Sequence, residues 1–241
     1  MTTSHPAPLP HPTGLEVRAV LPPLKLSDFK LIAFDMDSTL INIECIDEVA
    51  DAAGKKAEVS AITEAAMRGD IKDFKDSLRR RVALLAGVPE TFLHQVYEQR
   101  LQLSPGAEDL IKAAREAGLK TLLVSGGFTF FADRVQRRLQ IDFARSNVLE
   151  IVDGHLTGRL VDQSWGDICD GEEKKRMLLH TCGQLGFGAD QAIAVGDGAN
   201  DLPMMGAAAL SVAYHAKPKV REQAMVAINE GGLDRLLTLF S

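Results

Sequence analysis

Cysteine is scarce in this sequence. The 241-residue chain has three cysteines, Cys45, Cys169 and Cys182, and no two of them have the CxxC spacing used by zinc sites and redox motifs. This scarcity excludes a disulfide framework and disfavours zinc. Separated thiols are typical of a reducing compartment, so we expect a cytoplasmic protein.

Long apolar runs and an excess of positive charge are also absent. No stretch reaches the roughly 18 apolar residues of a membrane-spanning helix, and no basic start with an apolar run opens the chain, so we expect neither membrane contact nor export. The 27 Lys and Arg residues are outnumbered by 33 Asp and Glu, and the net charge of −6 disfavours nucleic acid as a partner. Small molecules remain as partners, and we expect a monomer or a homodimer.

The chain does contain recurring short apolar runs within a globular composition, in which 46% of residues are hydrophobic and 25% charged. These runs are typical of strands buried on both faces, and helical stretches separate them. This alternation predicts a Rossmann-like α/β core built on a doubly wound parallel sheet. The runs are FKLIAFD from Phe29, LKTLLVS at 119–125, QAIAVGD at 191–197, LSVAY at 210–214 and MVAIN at 225–229.

Three segments depart from this alternation. Residues 1–27 contain prolines at 6, 8, 10, 12, 22 and 23, so we expect an irregular arm there. The stretch 43–106 has helical apolar spacing, contains no convincing strand and is too long for one crossover helix. It predicts a small helical cap domain inserted between core segments 28–42 and 107–241. The β-prone runs around Asp153-Gly154 predict a short antiparallel hairpin flap near 147–161.

Acidic residues follow two of the predicted strands. Asp35 and Asp37 end the first in FDMDST, and Asp197, Asn200 and Asp201 end a later one in VGDGAND. Because ligands of open α/β sheets bind at the carboxyl ends of the strands, we expect these residues to share a pocket. An oxygen-rich pocket without His or Cys suits Mg²⁺. Taken singly, each motif also fits ordinary turn and helix-capping chemistry.

Two further features suit an anion. VSGGF places Ser125, Gly126 and Gly127 before a predicted helix, whose first amides favour phosphate. In DGEEKKRM, Lys174 stands near a helix start, where a cation is unfavourable unless it reaches inward, and Lys175 is the alternative. An ordinary cap at Ser125 and a solvated lysine are the other interpretations.

Taken in chain order, DxDST, SGG, a lysine and GDGxND resemble the motifs of the haloacid dehalogenase superfamily of phosphotransferases. Within it, the long helical insertion, the segment FDMDSTLINIECIDEVA and the run FKDSLRRRVALL resemble the phosphoserine phosphatase family. The resemblance extends from Lys30 to the C-terminus. It implies a haloacid dehalogenase-type core with an inserted cap.

The resemblance also implies a role for each motif residue. Asp35 would attack phosphorus to give an aspartyl-phosphate, and Asp37 would act as general acid and then as general base. Mg²⁺ would be held by the carboxylates of Asp35 and Asp197 and by the backbone carbonyl of Asp37, with Asp201 in or near its outer coordination shell. The phosphoryl group would be bound by Ser125, Gly126, Lys174 and Asn200.

Residues of the predicted cap would select the substrate. Arg81 lies within an apolar stripe that begins at Phe74, so its guanidinium needs a partner or a route to solvent. The resemblance implies that Arg81 binds a substrate carboxylate and Glu44 a substrate ammonium; a solvated arginine and a helix-dipole acid are the alternatives. It also implies that Met67 and Phe74 line the pocket, where core packing is the alternative.

The resemblance therefore implies a Mg²⁺-dependent phosphatase that converts O-phospho-L-serine to L-serine and phosphate, the final step of serine biosynthesis. A phosphatase or phosphotransferase for phosphohomoserine or another small phosphate ester is the enzymatic alternative. A phospho-accepting signalling domain is an alternative of another class, disfavoured by the length of the chain and the second acid, Asp37. Cys45, next to Glu44, adds the hypothesis that oxidation affects activity.

Overall fold

The architecture is built on one mixed sheet. The computed structural model describes residues 13–68, 70–71 and 73–241, and the side chains of Met67 and Arg68 lie outside the described part. Within it, eight strands form a sheet of order β1-β8-β7-β6-β2-β3-β4-β5. They are β1 Leu15–Val17, β2 Leu31–Phe34, β3 Lys120–Phe128, β4 Phe143–Val152, β5 His155–Val161, β6 Ala192–Gly196, β7 Leu210–Tyr214 and β8 Val226–Ile228.

The centre of the sheet is parallel. Strand β2 pairs in parallel with β3 and β6, and the pairs β6–β7, β7–β8 and β3–β4 are also parallel. Every residue of β2 is buried. Its side chains alternate between two cores, with Ile32 and Phe34 on one face and Leu31 and Ala33 on the other. The predicted doubly wound parallel α/β sheet is confirmed.

Helices cover both faces and fill the predicted insertion. In the described part of the chain five of them lie between β2 and β3, and the first four occupy the stretch 43–106 whose apolar spacing predicted helices. The division of the chain into cap and core domains stays a prediction. No helix in the described part of the chain is both long and apolar enough to cross a membrane. The helices are α1 Cys45–Ala52, α2 Lys56–Arg68, α3 Phe74–Ala83, α4 Thr91–Gln99, α5 Ala107–Glu116, α6 Thr129–Leu139, α7 Gly171–Leu185, α8 Leu202–Ala207 and α9 Pro218–Gln223.

The prediction of an irregular arm over residues 1–27 is wrong at Leu15–Val17. These residues form β1, which pairs antiparallel with β8 at one edge of the sheet. The stretch between Pro12 and Pro22 contains no proline, so its amides are available for pairing, and Leu15 is buried in the core. Residues 1–12 lie outside the described residues.

The predicted flap corresponds to strands β4 and β5. They pair antiparallel around Asp153 and Gly154, whose φ angles of 49° and 71° suit a two-residue hairpin turn. Strand β4 begins earlier than expected and also pairs with β3, so the hairpin continues the main sheet. The loop after α3 contacts β5: Leu156 exchanges backbone hydrogen bonds of 2.8 Å with Gly87 and Val88. Backbone hydrogen bonds therefore connect the inserted segment to the β4–β5 hairpin.

Candidate active site

The candidate site lies where three adjacent parallel strands end. Asp35 follows β2, Ser125 lies near the end of β3 and Asp197 follows β6, and these strands are neighbours in the order β6-β2-β3. The Asp35 amide donates to the Val195 carbonyl at 3.0 Å, which continues the β2–β6 pairing to the edge of the pocket. The sheet therefore brings these polar residues together, as expected for an open α/β fold.

A tight turn over Met36–Leu40 holds the two carboxylates of FDMDST. Ser38 adopts a left-handed conformation, with φ of 54°, and the chain then turns into α1. The first amide of α1, from Cys45, donates to Asp37 Oδ1 at 3.0 Å. Asp35 and Asp37 are both buried, and burial is the main cause of the raised pKa of each. A raised pKa favours a protonated Asp37, which a general acid requires.

Lys174, and not Lys175, lies among the carboxylates. Its side chain is fully buried, and Nζ lies 2.7 Å from Asp35 Oδ1 and 2.7 Å from Asp201 Oδ1. Burial alone would lower the pKa of Lys174, but the charges of Asp201 and Asp35 outweigh it and raise the pKa. Lys174 thus stays cationic; the side chain of Lys175 is half-buried.

Three acids form a cluster that fits a divalent cation. Asp35, Asp197 and Asp201 each offer an oxygen within 4.8 Å of the others. Burial and the charge of Asp201 raise the pKa of Asp197 to about 6. With Asp37 the site holds four acids against one buried lysine, Lys174, and carboxylate oxygens are the ligands of hard cations. Asp201 Oδ2 already accepts the amides of Asp197 and Gly198, at 3.1 and 2.9 Å, which supports an outer position for this residue.

Ser125, Gly126 and Gly127 form a loop beside these acids. The Gly127 amide donates to Ser125 Oγ at 2.8 Å, and Ser125 Oγ contacts Asp37 Oδ2 at 3.4 Å. A Cβ on Gly127 would lie 2.5 Å from Asp37 Oδ2, so a side chain at this position would collide with the acid. Asn200, half-buried, stands just before Asp201 at the other side of the pocket.

The insertion places two of its expected residues at the pocket. A Cβ on Gly126 would lie 2.9 Å from Phe74 Cζ, so the Phe74 ring covers the loop that would hold phosphate. Arg81 is half-buried, and its Nε is buried without a hydrogen-bond partner among the described residues. Burial lowers the pKa of Arg81, opposed by the charges of Asp47 and Glu44. The side chain of Met67, the remaining expected pocket residue, lies outside the described residues.

Glu44 stands at the rim of the pocket. The residue is exposed, yet its carboxylate is desolvated by the surrounding protein and repelled by Asp37, and its pKa is raised to about 7. Glu44 Oε1 accepts a hydrogen bond of 2.7 Å from Ser38 Oγ. Beside it, the Cys45 thiol is buried and its pKa is raised, mainly by burial. A buried thiol with little thiolate argues against the oxidation hypothesis.

Sequence reasoning missed two groups at this site. Asn147, a single asparagine within a strand, bonds to the Gly126 carbonyl and to the Cys169 amide. Lys75 of α3 lies 2.8 Å from Asp167 and 3.6 Å from Asp170, and so ties the insertion to the loop before α7. Asn147 belongs to none of the quoted motifs, and Lys75 lies in the run FKDSLRRRVALL without a role of its own there. Each depends on contacts between residues distant in the chain.

Comparisons with known proteins show which proteins the whole chain is similar to. The family model of haloacid dehalogenase-like hydrolases matches residues 29–209. The chain is 74% identical over 226 residues to a phosphoserine phosphatase of Polaromonas sp., covering 94% of this chain and 96% of that protein. It is also similar to the structure of a phosphoserine phosphatase with a phospho-aspartyl intermediate analogue. The TM-score is 0.81 and the identity 37%, and the match covers 88% of this chain and 99% of that one. The structure of a substrate-bound phosphoserine phosphatase complex matches with a TM-score of 0.80 and 37% identity, over 88% of this chain and 99% of that one.

Proposed function

Since this chain belongs to the phosphoserine phosphatases of the haloacid dehalogenase-like hydrolase family, we propose that it hydrolyses O-phospho-L-serine to L-serine and phosphate. The observation that carries this proposal is the position of Arg81 and Glu44 near Asp37, whose charge acts on both, in the pocket that also holds the buried Asp35–Lys174 pair. No ion pair joins Arg81 to Glu44 in the described part of the chain. A phosphorylated amino acid presents a phosphate, a carboxylate and an ammonium, and each has a counterpart here.

In the first chemical step, Asp35 acts as the nucleophile. Asp35 Oδ1 accepts a hydrogen bond of 2.7 Å from the Met36 amide and lies 2.7 Å from Lys174 Nζ, so we expect the other oxygen, Oδ2, to attack. Oδ2 forms a bond to phosphorus while the bond from phosphorus to the serine oxygen breaks. Asp37 gives its proton to that oxygen, and serine leaves as the alcohol. The raised pKa of Asp37 supports this role.

In the second step, Asp37 acts as the base. Its carboxylate takes a proton from water, the water oxygen forms a bond to phosphorus, and the bond to Asp35 breaks. Phosphate leaves, and both carboxyl groups return to their starting states. Lys174, Ser125, the Gly126 amide and Asn200 would bind the phosphoryl oxygens, since phosphoryl transfer depends on positioning and charge neutralisation.

The acidic cluster supports binding of Mg²⁺. Asp35 and Asp197 would supply carboxylate oxygens and Asp37 its backbone carbonyl, with Asp201 outside them. When bound, Mg²⁺ would neutralise charge on the transferring phosphoryl group. Burial, followed by the charge of Asp201, raises the pKa of both Asp35 and Asp197, and a hard cation would stabilise the charged form of these carboxylates.

Arg81 and Glu44 would recognise the amino-acid part of the substrate. The Arg81 guanidinium, whose Nε has no hydrogen-bond partner among the described residues, suits a carboxylate, which can accept two parallel hydrogen bonds. Glu44 would accept from the ammonium, and Phe74 would close the pocket over the phosphate loop. The product places the reaction at the end of serine biosynthesis. The three free, buried cysteines support a cytoplasmic location, and the choice between monomer and homodimer stays a prediction.

Phosphate release with Mg²⁺ tests the proposal directly. The panel is L-phosphoserine, D-phosphoserine, phosphohomoserine, phosphothreonine and an aryl phosphate, with Asp35→Asn as the inactive control. We expect a clear preference for L-phosphoserine. Preference for another ester would keep the chemistry and change the substrate. Stable phosphorylation of the protein without release would instead favour a phospho-accepting signalling domain.

A further inference from the structure

Strand β3 loses its register with β4 where it forms the phosphate loop. Val124 is opposite Arg145 and Phe128 is opposite Asn147, so three residues of β3 face a single residue of β4. The three are 125–127, the loop with Ser125 and both glycines. Such a bulge interrupts the pairing of the strands and removes ladder partners from its backbone groups. A carbonyl in this half-buried loop therefore needs another donor.

The side chain of Asn147 supplies that donor. Asn147 is 1% exposed, and its Nδ2 donates to the Gly126 carbonyl at 2.7 Å. Its Oδ1 accepts from the Cys169 amide at 2.7 Å. Because a backbone amide only donates and a carbonyl only accepts, these two partners fix the orientation of the Asn147 side chain.

The bond to Gly126 fixes one peptide group of the phosphate loop. The carbonyl of the peptide between Gly126 and Gly127 is held by Asn147, and its N–H is held by Ser125 Oγ at 2.8 Å. With both ends of this peptide bound inside the protein, its plane cannot rotate freely. The preceding amide, that of Gly126, is the one expected to meet a phosphoryl oxygen.

The bond to Cys169 reaches the helix that carries the lysine. Cys169 precedes Asp170, whose side chain caps α7 by accepting from the Glu173 amide at 2.9 Å. Lys174 follows one residue later, and its Nζ lies 2.7 Å from Asp35. Asn147 thus connects the two elements that would grip the phosphoryl group, the β3 loop and the start of α7.

We propose that Asn147 is a positioning residue that holds the Gly126 loop and the Lys174 helix at the spacing of one phosphoryl group. This inference rests on the proposed function, because it concerns the same phosphate site. Asn147 acts through Gly126 and Lys174 and touches no substrate atom. Its loss is expected to weaken binding of the phosphoryl group for every ester, whatever the rest of the substrate.

The chain offers a matched control for a purely structural role. Thr121, at the opposite end of β3, is fully buried and exchanges two hydrogen bonds with Asp142, at 2.8 and 2.9 Å. Thr121→Val removes both while keeping the shape of the side chain. Both variants thus lose two side-chain hydrogen bonds made by a buried residue next to or on β3, and only Asn147→Ala loses them at the phosphate loop.

The test is binding of inorganic phosphate with Mg²⁺ by calorimetry, together with kinetics on L-phosphoserine and an aryl phosphate. In Asn147→Ala we expect phosphate to bind at least about tenfold more weakly, the size expected when the Gly126 carbonyl and the Cys169 amide both lose their hydrogen-bond partner. KM should rise by the same factor for both esters. Thr121→Val should lose a similar amount of thermal stability with unchanged phosphate affinity.

Each outcome decides the proposal. Equal effects of the two variants on phosphate affinity, or an unchanged affinity in Asn147→Ala, would overturn it. If Asn147→Ala does not fold, Asn147→Ser, which keeps a hydroxyl at the position, is tested in its place. If neither Asn147 variant folds while Thr121→Val does, Asn147 has a structural role and the proposal is overturned. A wild-type protein that binds phosphate but hydrolyses only the aryl ester would refute the proposed substrate and leave the Asn147 comparison valid. Failure of the wild-type protein to bind phosphate would overturn both.

Discussion

Replacing Arg81 by methionine separates substrate recognition from phosphoryl transfer. Methionine keeps an unbranched apolar side chain and removes the guanidinium, whose buried Nε has no hydrogen-bond partner among the described residues. The free protein therefore loses no hydrogen bond at Nε. We expect the free energy of unfolding to change by no more than about 1 kcal/mol, because the loss of attraction to nearby acids opposes the relief of desolvation.

The effect on phosphoserine should be much larger. Hydrogen bonds to a charged partner contribute about 1.5–3 kcal/mol, so loss of the Arg81–carboxylate contact should lower kcat/KM for phosphoserine by about 10- to 150-fold. An aryl phosphate has no carboxylate and makes no such contact. Its kcat/KM in Arg81→Met should stay within about threefold of wild type.

Arg80→Met is the matched control for this experiment. Arg80 is the neighbouring residue of α3, and its exposed guanidinium pairs with Asp76 at 2.8 Å. An exposed pair of this kind contributes only about 0.3–0.5 kcal/mol, so neither substrate should be affected. Steady-state kinetics on both esters and thermal unfolding decide the question. Equal losses on both esters in Arg81→Met would refute the assignment of Arg81 to the substrate carboxylate.

Three further predictions concern the acids of the site. Asp35→Asn should lower phosphate release by at least about three orders of magnitude, because an amide cannot form the aspartyl-phosphate; a near-normal rate would remove Asp35 as nucleophile. Glu44 has a pKa of about 7, so KM for phosphoserine should rise as pH falls below 7 while KM for an aryl phosphate does not, and Glu44→Gln should abolish this difference; parallel pH profiles would contradict the ammonium contact. Asp197, with its pKa raised to about 6, retains its proton in the folded protein up to a higher pH than in the unfolded chain, so metal-free stability should fall as pH rises between about 4 and 6. The increase in Tm caused by Mg²⁺ should grow over pH 5–7 in wild type and not in Asp197→Asn, and a pH-independent increase would place Mg²⁺ elsewhere.

The sheet was predictable because its strands are buried on both faces. Three of these strands are continuous apolar runs, LIAF, AIAVG and LSVAY. When helical segments separate such runs, few folds other than a parallel sheet can bury them. Strand β1 was not predictable in the same way. It has only three residues and pairs with β8, which lies more than two hundred residues later in the chain. The residues around β1 give no indication of that partner.

The residues of the candidate site likewise divide into those that sequence could predict and those that it could not. Asp35, Ser125 and Asp197 could be placed together from sequence because each ends a strand, and adjacent parallel strands end at one edge. The choice of Lys174 over Lys175 needed the direction of each side chain on α7, which the sequence left open. Asn147 could not be found at all, because its function depends on a carbonyl freed by a bulge in another strand.

The charges that the site leaves unpaired are its most specific feature. Asp35 and Lys174 neutralise each other at 2.7 Å, as buried charges ordinarily do. Arg81 and Glu44 form no ion pair with each other in the described part of the chain, although the negative charges of Asp47 and, after it, Glu44 act on Arg81 and oppose the lowering of its pKa. Keeping two opposite charges apart near one pocket costs stability, and a zwitterion that binds both would offset that cost. A ligand with only one of these groups would leave the other charge desolvated and unpaired, so the same arrangement that selects an amino acid also rejects simpler phosphate esters.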